Sequence, residues 1–154
     1  MGQMIGTSEA AAIGLHCALT LAAEPEKPVN TAAMAHRLQI SVNHCSKVLQ
    51  RMTRAGIVRA IRGPKGGFQL ARPPETVTLL EVYEAIDGPL QDTTCLFQEP
   101  HCRLGDCVLG GLFEEVNRVI RSHLGTASLA DIVRRRPARF RINPHSQFQE
   151  SNDE

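Results

Sequence analysis

The sequence predicts a mainly α-helical fold that contains one small β-hairpin and ends in a long helix. Two helices joined by a tight turn are indicated between residues 31 and 55. Alternating apolar residues then flank a Gly/Pro turn, which is the pattern of a β-hairpin. Between residues 107 and 124 apolar residues recur at helical spacing over roughly five turns. These patterns predict a winged helix-turn-helix domain followed by a long dimerisation helix.

The first predicted helix begins after Ser8, which is a favourable N-cap residue, and continues to Glu24. Pro25 ends it, because proline cannot continue a helix. The helix is apolar on nearly all sides, which predicts burial on several sides and suggests a subunit interface. Cys17 lies in one of its apolar rows, so packing in the core is the expected role of this thiol.

The predicted helix-turn-helix consists of a short helix from Thr31 to Leu38, a turn, and a longer helix that Ser41 caps and Gly56 ends. The longer helix has two faces. Its inward face is predicted to hold Val42, Cys45, Val48, Leu49, Met52 and Ala55. Its outward face carries the amides and cations typical of a helix that lies in a DNA major groove. These outward residues are Asn43, His44, Ser46, Lys47, Gln50, Arg51 and Arg54.

The predicted hairpin has a glycine-rich turn at residues 63–67 and follows the helix-turn-helix directly, so we interpret it as a wing. Arg62 and Lys65 lie at its tip, where they are expected to contact phosphates or a minor groove. The glycines would allow the nucleic acid to approach the backbone closely. An ordinary solvated turn would explain the glycines, but not the lack of acidic residues nearby.

The charges of this segment are strongly segregated, although the net charge of the chain is only +1. Between Thr31 and Arg72 there are eight Lys and Arg residues and no Asp or Glu. Such a segment is typical of a surface that binds a polyanion. The candidates for base-edge contacts are Asn43, His44, Ser46 and Lys47. The candidates for backbone or minor-groove contacts are Gln50, Arg51, Arg59, Arg62 and Lys65.

The rest of the chain contains a capped helix, a cysteine-rich loop and the long helix. Thr78 and Glu81 have the spacing of a capping box. The long helix is too extended and too apolar for a small winged domain to cover, so we expect it to pair with its twin in a homodimer. The predicted units are residues 1–88 (winged helix-turn-helix domain with its N-terminal helix), 89–107 (cysteine loop), 108–133 (dimerisation helix and a short last helix) and 134–154 (a basic tail, disordered or an auxiliary phosphate contact).

Three of the five cysteines, Cys95, Cys102 and Cys107, lie in that loop with six and four residues between them. Thiolates on a loop of turn formers and charges suit a soft metal or an iron-sulfur cluster. Zinc and free thiols remain alternatives, because the spacing is ambiguous and lacks the paired Cys-x-x-Cys motif of zinc ribbons. An odd number of cysteines argues for metal or redox chemistry rather than for a disulfide framework.

The sequence also bears on location and on enzymatic activity. No Lys or Arg precedes Lys27, and no apolar run is long enough to span a bilayer, so a cytoplasmic protein without membrane contact is expected. No nucleotide-binding loop or catalytic pair is recognisable, so an enzyme is not expected. An iron-sulfur redox protein is the less favoured alternative for the same reason.

Two segments carry a resemblance to a known family. The segments 62–68 and 78–88 resemble the wing and the following helix of the IscR/NsrR-type (Rrf-two) winged-helix transcription regulators. The three cysteines and the long helix after them also lie where that family has its cluster ligands and dimer helix. The resemblance extends from about Ser8 to Val133.

The resemblance implies a homodimeric repressor that binds a palindromic double-stranded DNA operator. It also implies an iron-sulfur cluster, 2Fe-2S or 4Fe-4S, bound in each subunit by Cys95, Cys102 and Cys107. Members of the family use such clusters to sense cluster supply, nitric oxide or redox state. A cluster-dependent regulator is therefore the expected function, with a cluster-free thiol switch or zinc site as the alternative.

The fourth cluster ligand differs among members of the family. Some use a histidine one turn after the third cysteine, but this chain has Gly110 at that position. Others use an acidic side chain from the first helix of the partner subunit, and Glu9 lies at the similar position. Glu9 in trans is therefore the expected fourth ligand, with His101 and Asp106 as local alternatives. A first-turn glutamate also stabilises a helix without any metal.

Overall fold

The computed structural model describes residues 7–90 and 109–135. Within these ranges the helices are α1 (Glu9–Ala23), α2 (Thr31–Leu38), α3 (Val42–Arg54), α4 (Leu79–Asp87), α5 (Gly110–Thr126) and α6 (Leu129–Arg135). The strands are β1 (Val58–Ile61) and β2 (Gly67–Leu70). The predicted mainly α-helical fold with one β-hairpin is confirmed. The predicted cysteine loop from residue 91 onward and the basic tail beyond Arg135 lie outside the described residues.

Helix α1 is the centre of the core. Nine of its 15 residues are buried, and it packs against α2, α3, α4, α6 and β2. Contacts within one chain therefore explain why this helix is apolar on nearly all sides. The suggestion that α1 forms a subunit interface is not needed to account for its composition.

Gly14 lies where α1 crosses two other helices. A Cβ atom at this position would lie 3.0 Å from Ile86 Cγ1 on α4 and 3.6 Å from Val48 Cγ1 on α3. The first distance is shorter than ordinary van der Waals contact, so the missing side chain allows α1 and α4 to pack closely. The recognition helix α3 is in contact with the same point.

Side-chain caps define the helix-turn-helix. The Asn30 carboxamide oxygen accepts a hydrogen bond from Ala33 N at 2.7 Å, and Ser41 Oγ accepts one from His44 N at 3.1 Å. These caps satisfy backbone donors in the first turns of α2 and α3. Between the two helices Gln39 adopts a left-handed conformation with φ of 55°, which reverses the chain direction at the turn.

The buried face of α3 agrees with the prediction at four of six positions, namely Cys45, Val48, Leu49 and Met52. The prediction is wrong for Val42 and Ala55. Val42 is 53% exposed, and Ala55 is also exposed. They are the first residue and the C-cap of the helix, so they extend beyond the core that covers the middle turns.

The wing is a hairpin with a third, unpredicted contact. Strands β1 and β2 pair antiparallel, with Arg59 opposite Gln69. Val29 also bridges to Phe68 through two backbone hydrogen bonds of 2.9 Å, Val29 N to Phe68 O and Phe68 N to Val29 O. The segment before α2 therefore holds the wing against the domain.

The remaining helices complete the domain. Both halves of the predicted capping box are present at the start of α4: Glu81 N donates to Thr78 Oγ1 at 3.2 Å, and Thr78 N donates to Glu81 Oε2 at 2.9 Å. Helix α5 packs on α4 and continues one residue past the predicted end at Gly125. Leu129 N, at the start of α6, donates to Val77 O at 2.9 Å, so the chain returns to the winged domain after α5.

Candidate nucleic-acid interface and the junction behind it

The structure places all nine predicted DNA-contacting residues at the surface of α3 or of the wing. His44 and Ser46 are partly exposed, and the other seven are exposed: Asn43, Lys47, Gln50, Arg51, Arg59, Arg62 and Lys65. The buried side of α3 faces the core, so its polar side is free to lie in a groove. Whether these residues contact DNA remains a prediction.

Three cations of this surface have no bonding partner within residues 7–90 and 109–135. No hydrogen bond or ion pair engages Lys47 of α3, or Arg62 and Lys65 beside the wing turn, in those ranges. Their charges are therefore not compensated by a neighbouring acid in the described part of the chain. An uncompensated cation on an exposed surface is available to a phosphate.

Gln69 orients a fourth cation, and sequence reasoning did not assign it a role. Its side-chain oxygen accepts a hydrogen bond from Arg59 Nη2 at 3.2 Å, while its side-chain nitrogen donates to Pro25 O at 2.5 Å. Gln69 thus connects Arg59 to the segment before α2. The cross-strand register of the hairpin was the signal that could have identified this pair.

Arg51 differs from the other cations because it bonds to a neighbouring helix. Its Nη1 donates to the backbone oxygen of Ile86, near the end of α4, at 3.3 Å. The last carbonyl groups of a helix have no partner within the helix, and a cation at this end also interacts favourably with the helix dipole. Arg51 therefore acts as a C-terminal cap of α4 supplied by the recognition helix.

Other parts of the chain bond to the same end of α4, which we call the junction (residues 86–90). Asp87 accepts two hydrogen bonds from Ser8 at the start of α1, from the backbone N at 3.0 Å and from Oγ at 2.5 Å. Leu90 O accepts a hydrogen bond from Arg121 Nη2 of α5 at 2.9 Å. The junction thus connects α1, α3 and α5, and its last two residues are the first two of the predicted cysteine loop.

The two cysteines within the described residues are buried free thiols, as predicted. Cys17 on α1 and Cys45 on α3 are each 0% exposed. Burial raises the pKa of Cys17, and the neighbouring Cys45 raises it further. Burial also raises the pKa of Cys45. A thiol with a raised pKa is a poor thiolate ligand, so both side chains belong to the core.

Of the predicted cluster ligands, only Glu9 lies within the described residues. Cys95, Cys102 and Cys107, with His101 and Asp106, lie outside the described residues. Within the described ranges, no three His, Cys, Asp or Glu side chains are grouped so that they could hold a metal ion.

Glu9 is described: it is exposed in the first turn of α1. The adjacent Ser8 caps the helix, since its Oγ accepts a hydrogen bond from Ala11 N at 3.0 Å. An exposed carboxylate fits a ligand offered to another subunit, and it equally fits a first-turn charge that stabilises the helix.

Helix α5 exposes an apolar stripe. Leu112 is 55% exposed and Val119 is 58% exposed. Val119 lies seven positions after Leu112, about two helical turns, so both are on one face of the helix. No residue of α5 for which burial is described is fully buried. A surface of this kind is typical of a helix that packs against another subunit. No helix in the described ranges combines the length and apolar character that crossing a bilayer requires.

The caps, the wing and the exposed polar face of α3 define a winged helix-turn-helix protein of the DNA-binding type. A family model described as Rrf2, iron-dependent transcriptional regulator, matches residues 7–135. The chain therefore belongs to the Rrf2 family of transcriptional regulators, and the resemblance found in the sequence is confirmed. The relatives named below are likewise transcriptional regulators.

Two curated relatives illustrate the similarity. An HTH-type transcriptional regulator of Haemophilus influenzae is 31% identical over 110 residues, which are 71% of this chain and 73% of the relative. The HTH-type transcriptional regulator IscR of Xenorhabdus nematophila is 33% identical over 110 residues, which are 71% of this chain and 66% of that protein.

Solved structures share the fold at lower sequence identity. CymR, the global cysteine regulator of B. subtilis, superposes with a TM-score of 0.70 at 22% identity over 84% of this chain and 97% of CymR. IscR of T. potens superposes with a TM-score of 0.65 at 23% identity over 82% of this chain and 85% of that chain. These matches confirm the winged-helix architecture.

Proposed function

We propose that the chain is a homodimeric regulator that binds a palindromic operator and whose operator affinity depends on an iron-sulfur cluster. The observation that carries the DNA-binding part is the acid-free, cationic surface formed by α3 and the wing. The cluster part rests on three cysteines that follow the winged domain in a member of a family described as iron-dependent.

The geometry of α3 supports a division of roles along its exposed face. Residues in its first turn and a half, from Asn43 to Lys47, would reach base edges, as in other helix-turn-helix proteins. Arg62 and Lys65 beside the wing turn would contact phosphates or the minor groove. Phosphate contacts supply affinity and base contacts supply sequence choice, so the two sets have separable effects.

The exposed stripe of α5 supports the homodimer. Leu112 and Val119 would be removed from water by the same stripe of a second copy, in the self-complementary contact of a two-fold dimer. A two-fold dimer presents two recognition helices in opposite orientations, and a palindromic operator is the DNA sequence that matches this symmetry.

The chemistry of the donors supports a cluster. Three thiolates from Cys95, Cys102 and Cys107 would bind it, with Glu9 of the partner subunit as the fourth ligand. When bound, the cluster supplies iron that responds to oxidants, nitric oxide or cluster supply. A cluster-free thiol switch or a zinc site on the same cysteines is the second candidate. It is favoured by the fold shared with CymR, the global cysteine regulator of B. subtilis, and with the oxidised form of Staphylococcus aureus CymR.

One experiment separates the two candidates. The protein is purified anaerobically with iron supplied, and its visible spectrum, iron and acid-labile sulfide are measured. We expect a coloured dimer that contains both iron and sulfide. Operators are then selected from random DNA with the loaded and the metal-free forms, and their affinities are compared. A colourless protein that contains zinc, or equal affinity of both forms and of a variant with all three loop cysteines changed to Ala, would exclude cluster control.

The DNA-binding part is tested separately with single cations. We expect Lys47→Ala to change the sequence preference. Arg62→Ala should weaken binding to all sequences alike and lower the slope of log affinity against log salt by about 0.9, the value for one phosphate contact. Lys27→Ala is the matched control, since Lys27 lies outside the basic segment and is paired with Glu24 at 2.7 Å. Unchanged affinity, preference and salt slope in both test variants would contradict the interface.

A further inference from the structure

The bonds that converge on the junction suggest how a change in the cysteine loop reaches the recognition helix. Leu90 is the second residue of the predicted loop (residues 89–107), and its backbone oxygen accepts a hydrogen bond from Arg121 of α5. Leu90 N also donates to Glu84 Oε1 of α4 at 3.1 Å. The entrance to the loop is therefore tied to both helices that flank the loop in sequence.

One turn earlier, Ile86 is linked to the recognition helix by a hydrogen bond, and its side chain and Val48 of that helix both lie close to Gly14. Its backbone oxygen accepts the Arg51 hydrogen bond at 3.3 Å. Its side chain is buried at the crossing with Gly14, beside Val48 of α3. A shift of the end of α4 would therefore displace α3 through both the hydrogen bond and the packed side chain, because packed cores do not deform continuously.

We propose that Arg51 is a positioning residue that couples the state of the cysteine loop to the orientation of α3. This inference rests on the proposed function, in which the loop has two states. It adds the route by which a change of loop state reaches the recognition helix. Arg51 is also exposed on the predicted DNA-binding face of α3, and its guanidinium carries five donors. It has enough donors to bond to Ile86 and to a phosphate together.

Arg54 provides a matched control. It is an exposed arginine on the same helix, three residues further on, and within the described residues it makes no bond to α4. Replacing either arginine with Ala removes one positive charge from α3. Only Arg51→Ala also removes a link to the junction.

Gly14→Ala tests the packed contact without changing any charge. The new methyl group would lie 3.0 Å from Ile86 Cγ1, so the Ile86 side chain, or the end of α4 that carries it, must give by a few tenths of an ångström. This variant also serves if Arg51→Ala does not fold.

The measured quantity is the coupling ratio, defined as the operator dissociation constant of the metal-free form divided by that of the loaded form. We expect Arg51→Ala to move the ratio about fivefold toward one, the effect of one hydrogen bond of ordinary net strength. We expect Gly14→Ala to change the ratio as well. Arg54→Ala should alter both dissociation constants and leave their ratio unchanged. Amide hydrogen exchange of α3 without DNA should differ between the two forms of the unsubstituted protein and not between those of Arg51→Ala.

The outcomes distinguish this inference from the function on which it rests. A ratio of one for the unsubstituted protein would overturn both. A ratio different from one that both Arg51→Ala and Gly14→Ala retain would overturn the coupling route and leave cluster control intact. A change of the ratio in Arg54→Ala equal to that in Arg51→Ala would show that charge alone is responsible, which also overturns the route.

Discussion

Gly67, at the start of β2, is a position where one added methyl group should strongly disturb the wing. A Cβ atom there would lie 2.5 Å from the carbonyl carbon and oxygen of Val29 and 2.6 Å from Asn30 N. These are backbone atoms, so neither rotation of a side chain nor a small adjustment relieves the overlap. The Val29 segment and β2 must separate in Gly67→Ala.

The separation has a cost that follows from the structure. It removes the two 2.9 Å hydrogen bonds between Val29 and Phe68, each worth about 1 kcal/mol net. Gly67 also has a φ of +156°, which an L-residue adopts only with strain of about 1–3 kcal/mol. We therefore expect Gly67→Ala to lower the free energy of unfolding by about 3–5 kcal/mol.

Gly63→Ala separates the two contributions. Gly63 also has a positive φ, +117°, but a Cβ atom there meets no atom within 4 Å. Its replacement should cost only the conformational strain, about 1–3 kcal/mol. Urea unfolding followed by far-UV circular dichroism measures both variants. A difference between the two variants below about 0.5 kcal/mol would refute the reasoning that contact with Val29 fixes the wing.

Two further predictions concern the last helix and the dimer. Hydrogen bonds from Ser128 and then Arg134 lower the pKa of Asp131 from 3.8 to about 2. The unfolded carboxyl group therefore takes up a proton at higher pH than the folded one, so its contribution to stability is present above pH 3.8 and is lost as the pH falls toward 2. We expect the melting temperature of Asp131→Asn to depend less on pH across this window than that of the unsubstituted protein. An equal pH dependence of the two melting temperatures would count against these bonds. For the exposed stripe of α5, we expect the double variant Leu112→Glu/Val119→Glu to be monomeric in sedimentation experiments. The control Glu114→Lys changes a charge away from the stripe and should leave the dimer intact. A dimer that survives the double substitution must use another surface.

The sequence by itself determined the element order and most of the local chemistry of this protein. Serine and threonine caps, the glycine at residue 56 and the alternation around the wing act over a few residues, so their patterns are readable along the chain. The capping box of Thr78 and Glu81 is an example, and both of its hydrogen bonds are present. The segregation of charge likewise locates the candidate DNA-binding surface, because charge is a property of the residues themselves.

Only the tertiary structure decided how these elements are joined. Nothing local in the sequence shows that Val29 pairs with Phe68, that Gly14 lets α1 approach Ile86, or that Arg51 caps a helix 35 residues away. The prediction that Val42 is buried is wrong because the sequence shows that Val42 is apolar but does not show where the core ends. Contacts between residues distant along the chain depend on the packing of whole helices, and this packing brings Arg51 of the recognition helix to the junction.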